Sequence, residues 1–336
     1  MTLPAVDAIK KYNPDIRLGF VIAKSSFDVI KNYPLIDRVY SYDKASLEKW
    51  EKERRYGKIL GYIRSFVREI RQDDWDIAID FQGFFETSFI PYLAKIKKIY
   101  ARKHGSQRLF LSNGISRDSY AGKDALGWYM FLAFKTGLIP EDAPVNYFYP
   151  LSDVERSWAD AELKAENGRK LRIGISPTTR WISKTWPAES YSQLIRAIHA
   201  RYDATVFLFG APSDRGVADQ ILTDNDGVAD YVGSISLSHM AALVQRMDVF
   251  ISGDSAPMHI AASFQLPQLV FFGPTDPERT GPYNSKAVLL SSHESCAPCF
   301  KKVCPLTTGK DNCMHNITVA DVMRELHKIV DGKTLS

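Results

Sequence analysis

The sequence predicts an α/β fold built from two doubly wound, parallel-sheet domains, and three observations point to it. Short β-branched or aromatic runs alternate with helical patterns along the chain, the signature of parallel strands joined by helices that cover both faces of a sheet. The 336 residues suffice for two cores of ordinary size. Between residues 144 and 152 the stretch "PVNYFYPLS" breaks the alternation and marks a seam. Domains are therefore expected over 1–150 and 151–318, with a closing helix over 319–336 placed to fold back on the first.

The first domain reads as strands over 17–22, 38–42, 76–81 and 99–102, with helices over 25–32, 45–72 and 124–136. The second reads as strands over 171–175, 205–209, 249–251 and 269–272, with helices over 188–201, 214–222, 238–247 and 257–264. The opening "MTLPAVDAIKKYNPD" is itself helical, so the first domain begins without the strand that precedes such a helix in a doubly wound sheet. That strand is central, and its loss leaves neighbours without ladder partners. Met1 is thus expected to be internal to a longer natural chain, the alternative being a smaller sheet of different strand order.

Hydrophobic residues make up 45% and charged residues 24%, which excludes disordered and fibrous classes. No apolar run approaches the roughly 20 residues of a membrane helix, and no signal-peptide pattern opens the chain, so a cytoplasmic location is expected. A net charge of +4 gives no reason to expect nucleic acid. Lys95, Lys97, Lys98, Arg102, Lys103 and His104 form a local basic cluster, readable as a solvated face or as a site for an anionic partner.

Two loops carry the chemistry. In "VFISGDSAPMHIAA" the strand over 249–251 runs into a loop that starts at Gly253, with Asp254 and Ser255 as N-cap candidates, Pro257 in the first helical turn and His259 beside it. Unpaired amides and the helix dipole at such a turn favour an anion. In "ISPTTRWISKTWP", Thr178 and Thr179 can donate to phosphate oxygens, and Arg180 and Lys184 bring positive charge. Two such loops on parallel strands suggest a diphosphate. "FGAPSDR" ends a third strand and is either an ordinary turn or a base or ribose contact. Neither Gly-x-Gly-x-x-Gly, nor a P-loop, nor His-Glu-x-x-His is present. "GDSAP" lacks the second glycine of a hydrolase nucleophile elbow.

Together, "GDSAPMHIAA", "FFGPTDPERTGPY" and "SPTTRWISKTWP" resemble the donor domain of glycosyltransferase family 9, the lipopolysaccharide heptosyltransferases. "TLPAVDAIKKYNPD" is similar to the helix after the family's first loop, and "DFQGFFETS" resembles an acceptor-side segment containing Asp80, Gln82 and Gly83. The resemblance implies a GT-B fold, two Rossmann-like domains facing across a cleft. It implies inverting, metal-independent transfer of a heptose from ADP-heptose to a lipid-linked or core oligosaccharide acceptor, without a cofactor and with at most peripheral membrane association. Carried onto this chain, Thr178, Thr179 and Lys184 hold the diphosphate, and Asp254, Ser255 and His259 surround ribose, phosphates and sugar. The family's general base, an aspartate in a Gly-Asp loop, would fall upstream of Met1, and neither Asp7 nor Asp80 is a convincing substitute. A non-catalytic sugar-nucleotide or glycan binder, or a fragment lacking the base, is the alternative. Ala256 stands where the family has glycine, and Glu86 where a lysine is common, which leaves sugar and acceptor open.

All four cysteines, Cys296, Cys299, Cys304 and Cys313, lie within one short segment. A structural zinc or iron–sulfur site, free thiols, and disulfides are all compatible with that spacing.

Overall fold

A computed structural model of the chain describes residues 1–164, 171–306 and 313–334. The chain divides into two units, Met1–Tyr147 and Phe148–Ser336.

The first unit runs α1 (Leu3–Tyr12), β1 (Gly19–Ala23), β2 (Arg38–Tyr42), α2 (Lys44–Lys52), α3 (Tyr56–Arg71), β3 (Ile77–Asp80), α4 (Phe85–Leu93), β4 (Lys98–Arg102), β5 (Asn113–Ile115) and α5 (Ala125–Lys135). Its strands form two parallel sheets, β1–β2 and β3–β4–β5. One core joins the apolar face of α1 (Ala5, Ala8, Ile9) to Met130 and Ala133 of α5, with Leu18 and Ile79 against it. β1 and β3 each have a strand neighbour on one side only, and Val21 of β1 is 48% exposed. A single helix was expected over 45–72. The chain instead breaks at Arg54, whose φ is +55°. The break lets α2 turn back so that Trp50 meets Tyr62 at 6.0 Å, and Asp43 caps α2 by accepting from the Ser46 amide. The expected helix over 25–32 is a 3-10 turn, Lys24–Val29.

The second unit runs α6 (Asp153–Lys164), β6 (Leu171–Ser176), α7 (Ala188–Arg201), β7 (Ala204–Leu208), α8 (Arg215–Leu222), β8 (Val228–Asp230), α9 (Leu237–Val244), β9 (Val249–Gly253), α10 (Ala256–Ser263), β10 (Gln268–Phe272), α11 (Pro277–Thr280), β11 (Ala287–Ser291) and α12 (Val319–Thr334). All six strands are parallel, in the order β11-β10-β9-β6-β7-β8. Every residue of β9 and β10 is buried, as central strands covered on both faces require. One face packs Ile173, Ile175, Ile251 and Phe271 against α7 and α8. Met258 of α10 packs with Val270 and Phe272 on the other. The closing helix was expected as a separate element reaching back to the first domain. It belongs to the second unit, because its apolar Val322 and Leu326 are fully buried in that unit's core. No described helix is long and apolar enough to cross a membrane.

Candidate functional site

The order of the second sheet decides where a ligand can sit. From β6 the chain adds β7 and β8 on one side, then crosses to add β9, β10 and β11 on the other. Connections from β6 and β9 therefore leave in opposite directions, and a crevice opens beyond their carboxyl ends. The two strands pair with Ser176 opposite Ser252, so the loop over 177–187 and the turn at Asp254 and Ser255 emerge side by side.

Contact between the two is intimate. A Cβ on Gly253 would lie 2.8 Å from Thr179 Cγ2 and 3.2 Å from the Lys184 carbonyl oxygen, so glycine is what permits this approach. Lys184 Nζ donates to the Asp254 carbonyl at 2.8 Å and to its Oδ2 at 3.1 Å. Both side chains are largely buried, at 13% and 7% exposure. The ammonium also sits 4.9 Å from the centroid of the Trp181 ring. Two of its three N–H bonds are thus engaged and one remains for a ligand. Thr280 Oγ1 lies 3.4 Å from Asp254 Oδ2. Thr179 donates to the Trp181 carbonyl at 2.8 Å and shares a 3.1 Å contact with Thr185, which stiffens the loop around the lysine. Thr178 is half-buried and Arg180 exposed.

Ser255 stands at the N-cap of α10 but makes no side-chain cap bond, its Oγ pointing back to the Gly253 carbonyl at 3.4 Å. Asp254, the other cap candidate, gives its carboxylate to Lys184 and Thr280 instead. The first-turn amides of α10 are therefore left to another acceptor. Burial holds the His259 imidazolium pKa down at about 4, with positive charge nearby adding to this and Asp254 opposing it, so the ring is neutral near pH 7. Its Nδ1 is buried without a hydrogen-bond partner, as are Ser252 Oγ and Thr275 Oγ1 at the ends of β9 and β10. Unpaired buried polar atoms at strand ends are where a bound polar group is expected.

The folded His259 pKa lies below its unfolded value, so the unfolded chain binds more protons between the two. Stability is complete above about pH 6.5 and declines as pH falls toward 4. Urea unfolding of the wild type should lose up to about 3 kcal/mol more than His259→Asn between pH 7 and pH 4. Equal losses would contradict the buried neutral imidazole.

Thr178, Thr179, Lys184, Asp254, Ser255 and His259 thus lie around one crevice, with Lys184 bonded to Asp254 rather than open. Sequence reasoning missed Trp181, Ser252, Thr275 and Thr280, and named Gly253 without its close approach to Thr179. Of these, Thr280 stands inside "PERTGPY" and could have been singled out from its hydroxyl beside the crevice loop. "FGAPSDR" is a self-contained turn: Asp214 accepts from the Ala211 amide at 2.7 Å, and Arg215 pairs with Asp219 and Asp230.

In the first unit Asp80 anchors a turn. It is 8% exposed and accepts from the amides of Gln82 and Gly83, both at 3.0 Å, and from the hydroxyls of Thr87 and Ser88 at 2.8 and 2.7 Å. Gly83 has a φ of +65°, a conformation that favours glycine. The Gln82 side chain is exposed. Asp80→Ala should destabilise the unit by about 2 kcal/mol and speed amide exchange at Gln82 and Gly83. Unchanged exchange would refute the anchoring role. Asp7 is likewise occupied, accepting from Tyr33 at 3.2 Å and Asn146 at 3.1 Å.

The four cysteines are free thiols, and among the described residues no group of three or more His, Cys, Asp or Glu is arranged to hold a metal ion. The zinc, iron–sulfur and disulfide alternatives thus find no support in the geometry. Burial pushes the Cys313 thiol pKa up, and the neighbouring cysteines add to the rise. Their segment braces the crevice: Ser183 donates to the Lys301 carbonyl at 2.6 Å, and the Phe300 amide to that of Pro274 at 2.7 Å.

Residues 63–309 match the family described as glycosyltransferase family 9 (heptosyltransferase). The lipopolysaccharide heptosyltransferase 1 of Pseudomonas aeruginosa is 25% identical over 90% of this chain and 83% of its own length. Among solved structures, the E. coli ADP-heptose lps heptosyltransferase II covers 99% of this chain and 95% of its own at a TM-score of 0.78 and 18% identity. E. coli heptosyltransferase WaaC with ADP covers 98% and 95% at 0.72 and 18%. These likenesses give the fold as GT-B. By the family match, the chain belongs to glycosyltransferase family 9 and is a glycosyltransferase.

Proposed function

We propose that this chain transfers a heptose, or a closely related sugar, from an ADP-sugar to a lipopolysaccharide-core acceptor, with inversion and without a metal ion. The observation that carries the reading is the junction of the Lys184 loop with the uncapped start of α10 at the β6/β9 crossover. There the third N–H of Lys184 and the first-turn amides of α10 would meet a diphosphate, and the helix dipole would favour its charge. Lys184 neutralises Asp254, so the carboxylate does not repel the phosphates and keeps acceptor capacity for ribose or sugar hydroxyls. Neutral His259 would donate a hydrogen bond rather than a charge. As the acceptor oxygen bonds to the anomeric carbon, the bond from that carbon to the diphosphate breaks, and these fixed donors stabilise the departing oxygen. Two solved proteins of similar fold, the E. coli ADP-heptose lps heptosyltransferase II and E. coli heptosyltransferase WaaC with ADP, support the choice of donor.

The acceptor proton needs a base, and Asp7 and Asp80 are both committed elsewhere. The committed carboxylates equally favour the second reading, a sugar-nucleotide binder without turnover. A lipid-linked acceptor would bring the protein to the inner face of the inner membrane.

Calorimetric titration with ADP and UDP tests the donor site. Binding of ADP in preference to UDP is expected, and binding of neither would remove the diphosphate assignment. Transfer from ADP-heptose to a core acceptor separates enzyme from binder, and tight ADP binding with no transfer would favour the binder.

A further inference from the structure

The basic cluster has no part in the site above, and it lies beside an aromatic surface. Phe85, Phe89 and Tyr92 of α4 gather around Phe110, with centroid distances to it of 5.2, 5.0 and 5.1 Å. The flanking side chains face solvent: Phe84 is 61% exposed, Tyr92 50% and Leu109 73%. A solvated helix face would carry polar groups at these positions, and large apolar side chains grouped on a surface mark an interaction site. The same stretch exposes Lys95, Lys97, Lys98, Lys103 and Arg108, while Glu86 is the sole acid between Phe81 and Arg117.

We propose that α4 and the turn Gly105–Phe110 form a docking surface for an anionic lipid bilayer, with Phe84, Tyr92 and Leu109 entering the headgroup region and the flanking lysines meeting lipid phosphates. Charge complementarity selects this occupant. A rim on which exposed Lys95, Lys97, Lys98, Lys103 and Arg108 outnumber the neighbouring acids Glu86, Asp74 and Asp76 suits a negatively charged sheet, and aromatic rings with polar edges suit the bilayer interface. A protein partner or a second copy would be expected to meet a patch poor in lysine, since protein interfaces are depleted of it. The inference goes beyond the transfer reaction and stands whether or not the donor assignment holds.

Co-sedimentation with two kinds of vesicle tests it: phosphatidylcholine alone, and phosphatidylcholine with about 30% phosphatidylglycerol. The full chain should bind the second kind, weakly or not at all the first, and lose binding as salt rises. Phe84→Ser/Leu109→Ser should abolish binding. Lys97→Glu/Lys103→Glu should weaken it by about tenfold or more, since each basic residue near such a surface contributes about fivefold. Circular dichroism melts like the wild type's would show that both variants fold. Three results would overturn the proposal: no binding of the wild type to the anionic vesicles at low salt, unchanged binding by folded variants, or self-association abolished by Leu109→Ser in a protein that ignores vesicles.

Discussion

Lys184→Ala should weaken ADP binding by about tenfold or more and lower stability by roughly 3–5 kcal/mol. The second effect follows from its partner. Asp254 is 7% exposed and shares its carboxylate with Lys184 at 3.1 Å, so deleting the ammonium leaves a buried charge without its counterion. The sequence alone suggested a pure binding residue, and the ion pair changes that expectation. A second variant keeps the two effects apart. Lys184→Met with Asp254→Asn removes both charges and should recover most of the stability without recovering the affinity. Urea unfolding and calorimetry read the two quantities separately. If ADP binds Lys184→Ala as tightly as wild type, the lysine does not touch the diphosphate.

Trp186→Ala should cost about 3–5 kcal/mol, the range for emptying a packed aromatic site. The ring is 1% exposed, lies 4.8 Å from Tyr191 and 4.9 Å from Phe271, and donates through Nε1 to the Ile317 carbonyl at 2.8 Å. It ties the end of the Lys184 loop to the sheet and to the segment before α12. The damage should therefore reach the site: ADP affinity should fall although no ligand contact has been removed. Trp186→Phe keeps most of the packing and loses the hydrogen bond, for about 1–2 kcal/mol. Denaturant midpoints and ADP titrations of both variants check this. A loss below about 1 kcal/mol for alanine would mean that the loop is held by something else.

Much of this was legible because the second unit's strands are of one kind. β9 and β10 are apolar without alternation, and each ends in glycine and hydroxyl residues that can only be a turn. Chain order and strand direction then bring the two loops together. The pairing of Lys184 with Asp254, seventy residues apart, could not be read, since the sequence presents both as ligand groups and only the register of β6 with β9 sets them against each other. Nor could the role of Asp80, whose four donors come from a turn and a helix, α4, that the sequence did not announce. The break at Arg54 was hidden because α2 and α3 share one helical pattern, and only the return of Trp50 onto Tyr62 requires it. The three-residue strands β5 and β8 gave too few residues to stand out, β11 was missed although it is as long as β10, and α12 carries an apolar stripe that does not say which core it enters.

The account is tested most directly by a crystal structure with ADP bound. It predicts the diphosphate within about 3 Å of Lys184 Nζ and of the first-turn amides of α10, with Asp254 still bonded to the lysine. A diphosphate seated elsewhere, with Lys184 and the start of α10 facing only solvent, would contradict it.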